Sequence, residues 1–174
     1  MIQIIGSWPE KRWPWLLLGA SALALELCAL FFQYGMDLAP CIMCIYERVA
    51  MLGVLLTGFI TAIAPQYLWL RLTGFAAWLV SGVWGLLLAW EHVQLQINPS
   101  PFNTCDFEPN FPSWLQLHHW LPVFFEATGD CGEIAWSFLG WSMPQWLVVS
   151  FVIYTLLAVV VLACWGISRL KANS

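Results

Sequence analysis

Four long apolar runs constrain the fold of this chain more than any other feature. They cover about residues 14–33, 44–64, 68–90 and 145–165. Each run is close to the roughly 20 residues that an α-helix needs to cross the hydrocarbon core of a bilayer. Only 9% of the 174 residues are charged, whereas soluble domains average about 25%. The sequence therefore predicts an all-α membrane protein, a single membrane domain over residues 1–174 built as a four transmembrane helix bundle.

The basic residues predict how this bundle is oriented. Alternating spans place five of the six on one side of the membrane: Lys11, Arg12, Arg71, Arg169 and Lys171. The positive-inside rule makes that side cytoplasmic, so both termini are predicted there and segment 91–144 outside. No small-residue cleavage pattern follows the first run, which we therefore interpret as a retained helix. The protein has a net charge of −4 and no basic patch. We therefore expect it to contact the lipid bilayer and no nucleic acid.

The sixth basic residue, Arg48, follows a Cys-x-x-Cys pair, Cys41 and Cys44, at the outer end of the second run. Pro40 suits the first turn of a helix, and a helix N-terminus near Cys44 favours an anion such as a thiolate. Arg48, one turn further on, adds a positive charge on the same face. The spacing is known from redox sites, whereas zinc would need a second ligand pair that does not follow. We therefore predict a redox site without a metal. The simpler alternative is a pair of inert buried cysteines, but the position of Arg48 one turn after Cys44 makes inert cysteines the weaker interpretation.

The long outer segment carries two further cysteines. Cys105 lies in a stretch of prolines and small polar residues, which predicts an exposed, pliable position that another protein can reach. Cys131 lies in a flexible turn after Gly129 and Asp130. In an oxidising compartment these two cysteines and the Cys-x-x-Cys pair suggest two disulfides. The sequence alone leaves three pairings open.

A short amphipathic pattern separates these two cysteines. Ser113 can cap a helix, and Trp114, Leu117 and Leu121 recur on one face before Pro122 limits its length. We therefore predict an interfacial helix of about two turns that lies on the membrane.

Together, these motifs resemble the disulfide-bond formation protein B (DsbB) family of bacterial inner-membrane thiol–quinone oxidoreductases. The matching pieces occur in order along nearly the whole chain, at residues 22–27, 40–48, 99–107, 129–131 and 143–147. The resemblance implies a bound ubiquinone or menaquinone and a periplasmic thioredoxin-fold partner of the DsbA type. It also implies that the segment 91–144 is a periplasmic loop and that the protein resides in the inner membrane.

The resemblance further implies a role for each site residue. Six residues are implicated: the catalytic cysteines Cys41, Cys44, Cys105 and Cys131, and the quinone contacts Arg48 and His92. Cys105 and Cys131 would form the disulfide presented to the reduced partner, and released Cys131 would then attack Cys41. The implied activity is that of a protein-dithiol:quinone oxidoreductase, which re-oxidises its partner and sustains protein disulfide formation.

Two other classes of protein stay open. A quinone-linked thiol enzyme of the vitamin K epoxide reductase type usually has its Cys-x-x-Cys late in the chain, whereas here it opens the second run. A non-enzymatic membrane scaffold with structural disulfides predicts no quinone and no effect of Arg48. Two acids near the site have no assigned chemistry. Glu26 is interpreted as structural, and the role of Glu47 stays open, with a simple charge partnership with the adjacent Arg48 as one interpretation.

Overall fold

The computed structural model describes residues 2–98 and 109–172. Four long helices dominate it: α2 (Arg12–Gly35), α3 (Ile42–Ile63), α4 (Leu68–Ile97) and α7 (Met143–Ala172). All four are long and apolar enough to cross a membrane, judged by length and composition. The predicted all-α membrane fold with four spanning helices is therefore confirmed.

The remaining elements are short. Helix α1 (Ile2–Gly6) and a 3-10 turn (Trp8–Glu10) precede α2. The segment between α4 and α7 contains α5 (Leu117–Trp120), α6 (Pro122–Phe125) and an antiparallel pair of two-residue strands, β1 (Ser137–Phe138) and β2 (Trp141–Ser142).

The helical part of this segment is shorter than the sequence predicts. Ser113 belongs to a turn in which the Pro112 carbonyl accepts from the Leu115 amide at 2.8 Å, and it caps no helix. Helix α5 is one turn long, and α6 begins afresh at Pro122. A proline has no N–H with which to continue the preceding helix, so two separate turns replace the expected two-turn helix.

Two of the spanning helices extend beyond the apolar runs that predict them. Helix α4 continues to Ile97 instead of ending near Trp90, and α7 continues to Ala172. His92 and Val93, in the extension of α4, are buried. Hydropathy identifies only the lipid-spanning part of a helix. The helix itself can be longer, because backbone hydrogen bonds and packing stabilise additional turns.

The spanning helices pack in sequence, α2 on α3, α3 on α4, and α4 on α7. The contact between α2 and α3 is a close backbone approach, since a Cβ on Gly58 would lie 2.4 Å from the Gly19 amide nitrogen. Small residues commonly permit such approaches between membrane helices. At the α4–α7 contact, Gly85 makes room for a side chain, because a Cβ there would lie 2.2 Å from the Phe151 ring.

A charged cluster joins three elements at one end of the bundle. The Glu10 carboxylate accepts hydrogen bonds from Arg71 at 2.9 Å and from Arg169 at 2.8 Å. The bond from Arg71 is the main reason why the pKa of Glu10 lies below its usual value. Both guanidinium groups also lie over the Trp165 ring, at 5.2 and 5.8 Å from its centroid. Basic residues that lie far apart in the sequence thus meet at one end, and the cysteine pair lies at the other.

Candidate active site

Cys41 forms the N-cap of α3. Its backbone is extended, and its Sγ accepts a hydrogen bond from the Cys44 amide at 3.2 Å. Both cysteines are free thiols; Cys41 is 2% exposed and Cys44 is half-buried. Cys44 is the third residue of α3 and therefore lies near the helix N-terminus, as the sequence predicts, whereas the sulfur that accepts a hydrogen bond from the first turn is that of Cys41.

A buried chain of three side chains begins at Cys41. The Cys41 Sγ lies 3.5 Å from Nε2 of His92, and Nδ1 of His92 lies 3.0 Å from Oε1 of Glu47. Glu47 and His92 are 2% and 3% exposed. A thiol, an imidazole and a carboxylate in this order can pass a proton from sulfur to nitrogen while the carboxylate orients the ring. Glu47 therefore pairs with His92 and not with Arg48, the neighbour that the sequence offered as one possible partner.

Arg48 is buried and bonds to groups on two other segments. Its Nη1 donates to Oε1 of Gln33 at 3.0 Å and to the Phe124 carbonyl. Its Nε lies 3.7 Å from Oε2 of Glu26, an ion pair too long to be a hydrogen bond. Within the described residues, this Nε has no hydrogen-bond partner. The charge partner of Arg48 is therefore Glu26 of α2, and one donor remains unused.

A cavity of about 110 Å³ lies between these groups. Its polar lining includes Gln33, Cys44, Arg48 and His92, and its apolar walls include Phe32, Trp136, Met143, Pro144 and Leu147. A single water molecule needs only about 10–15 Å³ on this kind of measure. The cavity can therefore take a group of several heavy atoms, with apolar faces and a polar edge.

The segment that carries Cys131 is attached directly to the start of α3. The amides of Thr128 and Gly129 both donate to the Pro40 carbonyl at 2.9 Å. Cys131 is disulfide-bonded and 2% exposed, and it packs in one apolar cluster with Cys41, Ile42 and Met43. The second predicted cysteine of the loop, Cys105, lies outside the described residues. The structure thus places Cys131 in the same apolar cluster as Cys41, a proximity that no spacing in the sequence indicates.

Five of the six predicted site residues meet at this end of the bundle: Cys41, Cys44, Arg48, His92 and Cys131. The Cys41, Cys44 and His92 ligand atoms lie within 4.8 Å of one another, so they form a possible metal-binding group that the sequence did not predict. Structural zinc sites have four protein ligands, and this group supplies three. The contacts with Gln33 and Phe124 were also missed, because neither residue type signals a site by itself.

Four helices long enough to span a membrane, with paired thiols at one end, place this chain among multi-pass membrane proteins equipped for thiol chemistry. A protein-family model described as "Disulfide bond formation protein DsbB" matches residues 11–161. The chain is 57% identical over 160 residues to disulfide bond formation protein B of Psychromonas ingrahamii. This alignment covers 92% of the present chain and 86% of that protein. The chain is also 52% identical over 162 residues to the protein of the same name from Pectobacterium atrosepticum, covering 93% and 92%.

The chain therefore belongs to the disulfide bond formation protein DsbB family. Membership gives it an oxidoreductase role in the formation of disulfide bonds, which agrees with the class that the sequence motifs indicate.

Proposed function

We propose that this protein re-oxidises a periplasmic thioredoxin-fold dithiol oxidase of the DsbA type and passes the electrons to membrane quinone. The observation that carries this proposal is the free Cys41–Cys44 thiol pair beside a cavity, with the disulfide-bonded Cys131 packed against Cys41. This arrangement provides an inner dithiol, an adjacent outer disulfide and room for an acceptor. Family membership supports the same reaction.

The burial of Cys41 and Cys131 favours Cys105 as the sulfur that the partner attacks. Cys41 and Cys131 are each only 2% exposed, and thiol–disulfide exchange requires access to the attacked sulfur. We propose that the partner's thiolate attacks Cys105 of a Cys105–Cys131 disulfide. A mixed disulfide forms on Cys105, and Cys131 leaves as a thiolate; the partner's second thiolate then displaces Cys105. The partner loses two electrons and two protons, and the outer pair gains them.

The hydrogen bonds to Pro40 support the next transfer. They hold the Cys131 segment against Cys41, so a Cys131 thiolate would lie close to a Cys41–Cys44 disulfide. Its attack on Cys41 would release Cys44 as a thiolate. Cys105 would then displace Cys41 from Cys131 and restore the outer disulfide. Free thiols at Cys41 and Cys44 with Cys131 in a disulfide are the distribution expected after this transfer.

The cavity residues fit a quinone, either ubiquinone or menaquinone. The unused Nε–H of Arg48 is a buried donor suited to a ring oxygen, and the apolar walls suit the faces of a ring. Arg48 and His92 would hold the quinone, and Cys44 would face it across the cavity. A bound quinone supplies a two-electron acceptor.

His92 and Glu47 would handle the proton of Cys41. As the Cys41–Cys44 disulfide re-forms, Nε2 of His92 would accept the Cys41 proton across the 3.5 Å contact. The Glu47 carboxylate, 3.0 Å from Nδ1, would stabilise the charged ring and fix its orientation. His92 would therefore act on the cysteine as well as contact the quinone.

The proposed location is the bacterial inner membrane, with both termini cytoplasmic and the active cysteines periplasmic. Alkaline phosphatase fused near Asn110 should be active, whereas the same enzyme fused after Ser174 should be inactive. Activity of the Ser174 fusion would contradict the proposed orientation.

The reaction itself is tested with purified protein, a reduced thioredoxin-fold partner and a soluble quinone. Oxidation of the partner should require quinone and reduce it in equal amount. The variant Cys131→Ala should lose turnover, because Cys105 is then a lone thiol and offers the partner's thiolate no disulfide to attack. With the unchanged chain, a partner that lacks its second active-site cysteine should accumulate as a mixed disulfide on Cys105, because the thiolate that would displace Cys105 is absent. The matched control Cys28→Ala, an exposed cysteine in the middle of α2, should turn over normally.

Three results would contradict the proposal. A trapped partner on Cys41 would reassign the entry point. Net reduction of a partner disulfide by reduced quinone as the only productive direction would favour the vitamin K epoxide reductase type. A quinone-independent protein unaffected by Arg48→Ala would favour a structural scaffold.

A further inference from the structure

A second and larger cavity lies at the basic end of the bundle, opposite the cysteines. Its volume is about 350 Å³, and its lining comes from the 3-10 turn and from α2, α4 and α7. Trp15, Phe75 and Trp78 line it as one aromatic cluster, with ring centroids 5.2 to 6.2 Å apart. The indole N–H of Trp15 donates to the Pro9 carbonyl at 3.0 Å, which ties the 3-10 turn to this lining.

This cavity opens towards the lipid-facing surface. Leu17 and Leu157 belong to its lining but are 60% and 46% exposed. Helices α2 and α7, which carry these residues, have few close backbone approaches within the described ranges. The gap between them therefore faces the acyl chains of a surrounding bilayer.

Two polar features lie in the otherwise apolar lining. The Ser21 and Tyr154 hydroxyls hydrogen-bond to each other at 3.0 Å. Trp78 is 7% exposed, and its indole N–H has no hydrogen-bond partner in the described part of the chain. A buried donor without a partner carries a desolvation penalty that an acceptor on a ligand would remove. The ester carbonyl of a glycerolipid is such an acceptor, and it is attached to the acyl chains that the apolar walls suit.

Two basic residues lie next to the lining of the cavity in the sequence. Lys11 and Arg12 are exposed and directly precede Trp13, which lines the cavity. Trp8 and Trp13 add aromatic rings of the kind that favours the membrane interface. Basic side chains at this depth attract anionic lipid headgroups. We propose that this cavity is a binding site for one anionic phospholipid, with an acyl chain between α2 and α7, an ester carbonyl at Trp78 and the phosphate at Lys11 and Arg12.

The proposal is tested by native mass spectrometry of the full chain. The protein is released from nanodiscs that contain phosphatidylglycerol and phosphatidylcholine with the same acyl chains. One phosphatidylglycerol per chain should be retained in preference to phosphatidylcholine. The double variant Lys11→Gln, Arg12→Gln should lower this retention about fivefold for each charge removed. The control Lys171→Gln removes a charge almost three helical turns beyond Val161, the last lining residue on α7, and should retain the lipid.

Two matched pairs of variants test the cavity itself. Val161→Phe fills it and should abolish retention, whereas Val160→Phe, on a residue that is 48% exposed beside it, should not. Trp78→Phe keeps the ring but removes the unpaired donor and should weaken retention, whereas Trp84→Phe, at an exposed position on the same helix, should have no effect. If Val161→Phe does not fold, the surface double variant still decides.

Four outcomes would overturn the proposal. These are equal retention of the two lipids, no response to the double variant, a co-purifying quinone that Val161→Phe displaces instead of the phospholipid, and a dimer of the chain that closes the cavity. None of these readouts depends on thiol oxidation, so the result is independent of the proposed function.

Discussion

The contact between the Cys131 segment and Pro40 leads to a sharp prediction for Gly129→Ala. A Cβ at Gly129 would lie 2.3 Å from the Ala39 carbonyl oxygen and 3.0 Å from its carbon. Because these are backbone atoms, the segment must move away, and the hydrogen bonds from Thr128 and Gly129 to Pro40 are lost or weakened. Two hydrogen bonds at about 1 kcal/mol each amount to about 2 kcal/mol. That corresponds to an approximately 30-fold smaller population in which Cys131 lies beside Cys41.

The expected phenotype is a selective loss of the internal transfer. Oxidised protein is mixed with a reduced partner, quenched in acid and labelled with a maleimide that adds mass to each free thiol. In Gly129→Ala, the mixed disulfide with the partner should form at the normal rate, while thiols at Cys41 and Cys44 should appear up to about 30-fold more slowly. Gly132→Ala is the control, because a Cβ there would lie 3.4 Å from the nearest atom, an ordinary contact. Normal internal transfer in Gly129→Ala would refute the proposed role of this contact.

Three further substitutions test the charged groups. Arg48→Lys should raise the KM for quinone about tenfold while leaving partner exchange nearly unchanged, because lysine keeps the charge but loses the planar fork; an unchanged KM would remove Arg48 from the quinone site. Glu47→Gln should slow re-oxidation of the Cys41–Cys44 thiol pair at least tenfold in stopped-flow experiments, because the amide no longer stabilises a charged imidazole. The pH–rate profile of this re-oxidation should change as well. An unchanged profile would mean that Glu47 has a structural role only. Glu10→Gln should lower the free energy of unfolding by about 1–2 kcal/mol, discounted for the partial exposure of Glu10, whereas Glu91→Gln on the surface should not. The pKa of Glu10 is lowered in the folded protein, mainly by the hydrogen bond from Arg71. Its contribution to the free energy of unfolding should therefore be present above the usual glutamate pKa of about 4.3 and be lost as the pH falls through the lower folded value. Equal stability of the two variants at neutral pH would contradict this prediction.

The sequence is a good guide to those parts of the fold that depend on local composition. Helix α3 was predicted over about 44–64 and extends over Ile42–Ile63, because both its apolar length and the proline before it are local signals. Helix α4 was predicted to end near Trp90 because the following residues are polar. It continues to Ile97, and its extension places His92 against Cys41, a tertiary contact that hydropathy does not register.

The site divides along the same line. Cys41, Cys44 and Arg48 lie on one helix and could be associated from their spacing alone. The pairing of Glu47 with His92 and of Glu26 with Arg48 depends on how three helices pack, so the sequence left the role of Glu47 open. One signal was available: Glu47 lies six residues after Cys41 in an apolar helix, where an acid needs a partner. The sequence did not say which.

The two buried acids explain how Arg48 can stay partly unsatisfied at the edge of the membrane. A single buried cation would cost several kcal/mol, and Glu26 offsets that cost from α2 at 3.7 Å, without making a hydrogen bond to Nε. Had Glu47 served as the partner instead, adjacent on α3, it would not be available to orient His92. With the acids divided in this way, the Arg48 Nε has an ion-pair partner but no hydrogen-bond partner among the described residues. One imidazole nitrogen of His92 lies 3.5 Å from the Cys41 Sγ. Under the proposed function, the first group would donate a hydrogen bond to the quinone and the second would accept the Cys41 proton. The variants at Arg48 and Glu47 therefore test which acid pairs with which base, Glu26 with Arg48 and Glu47 with His92.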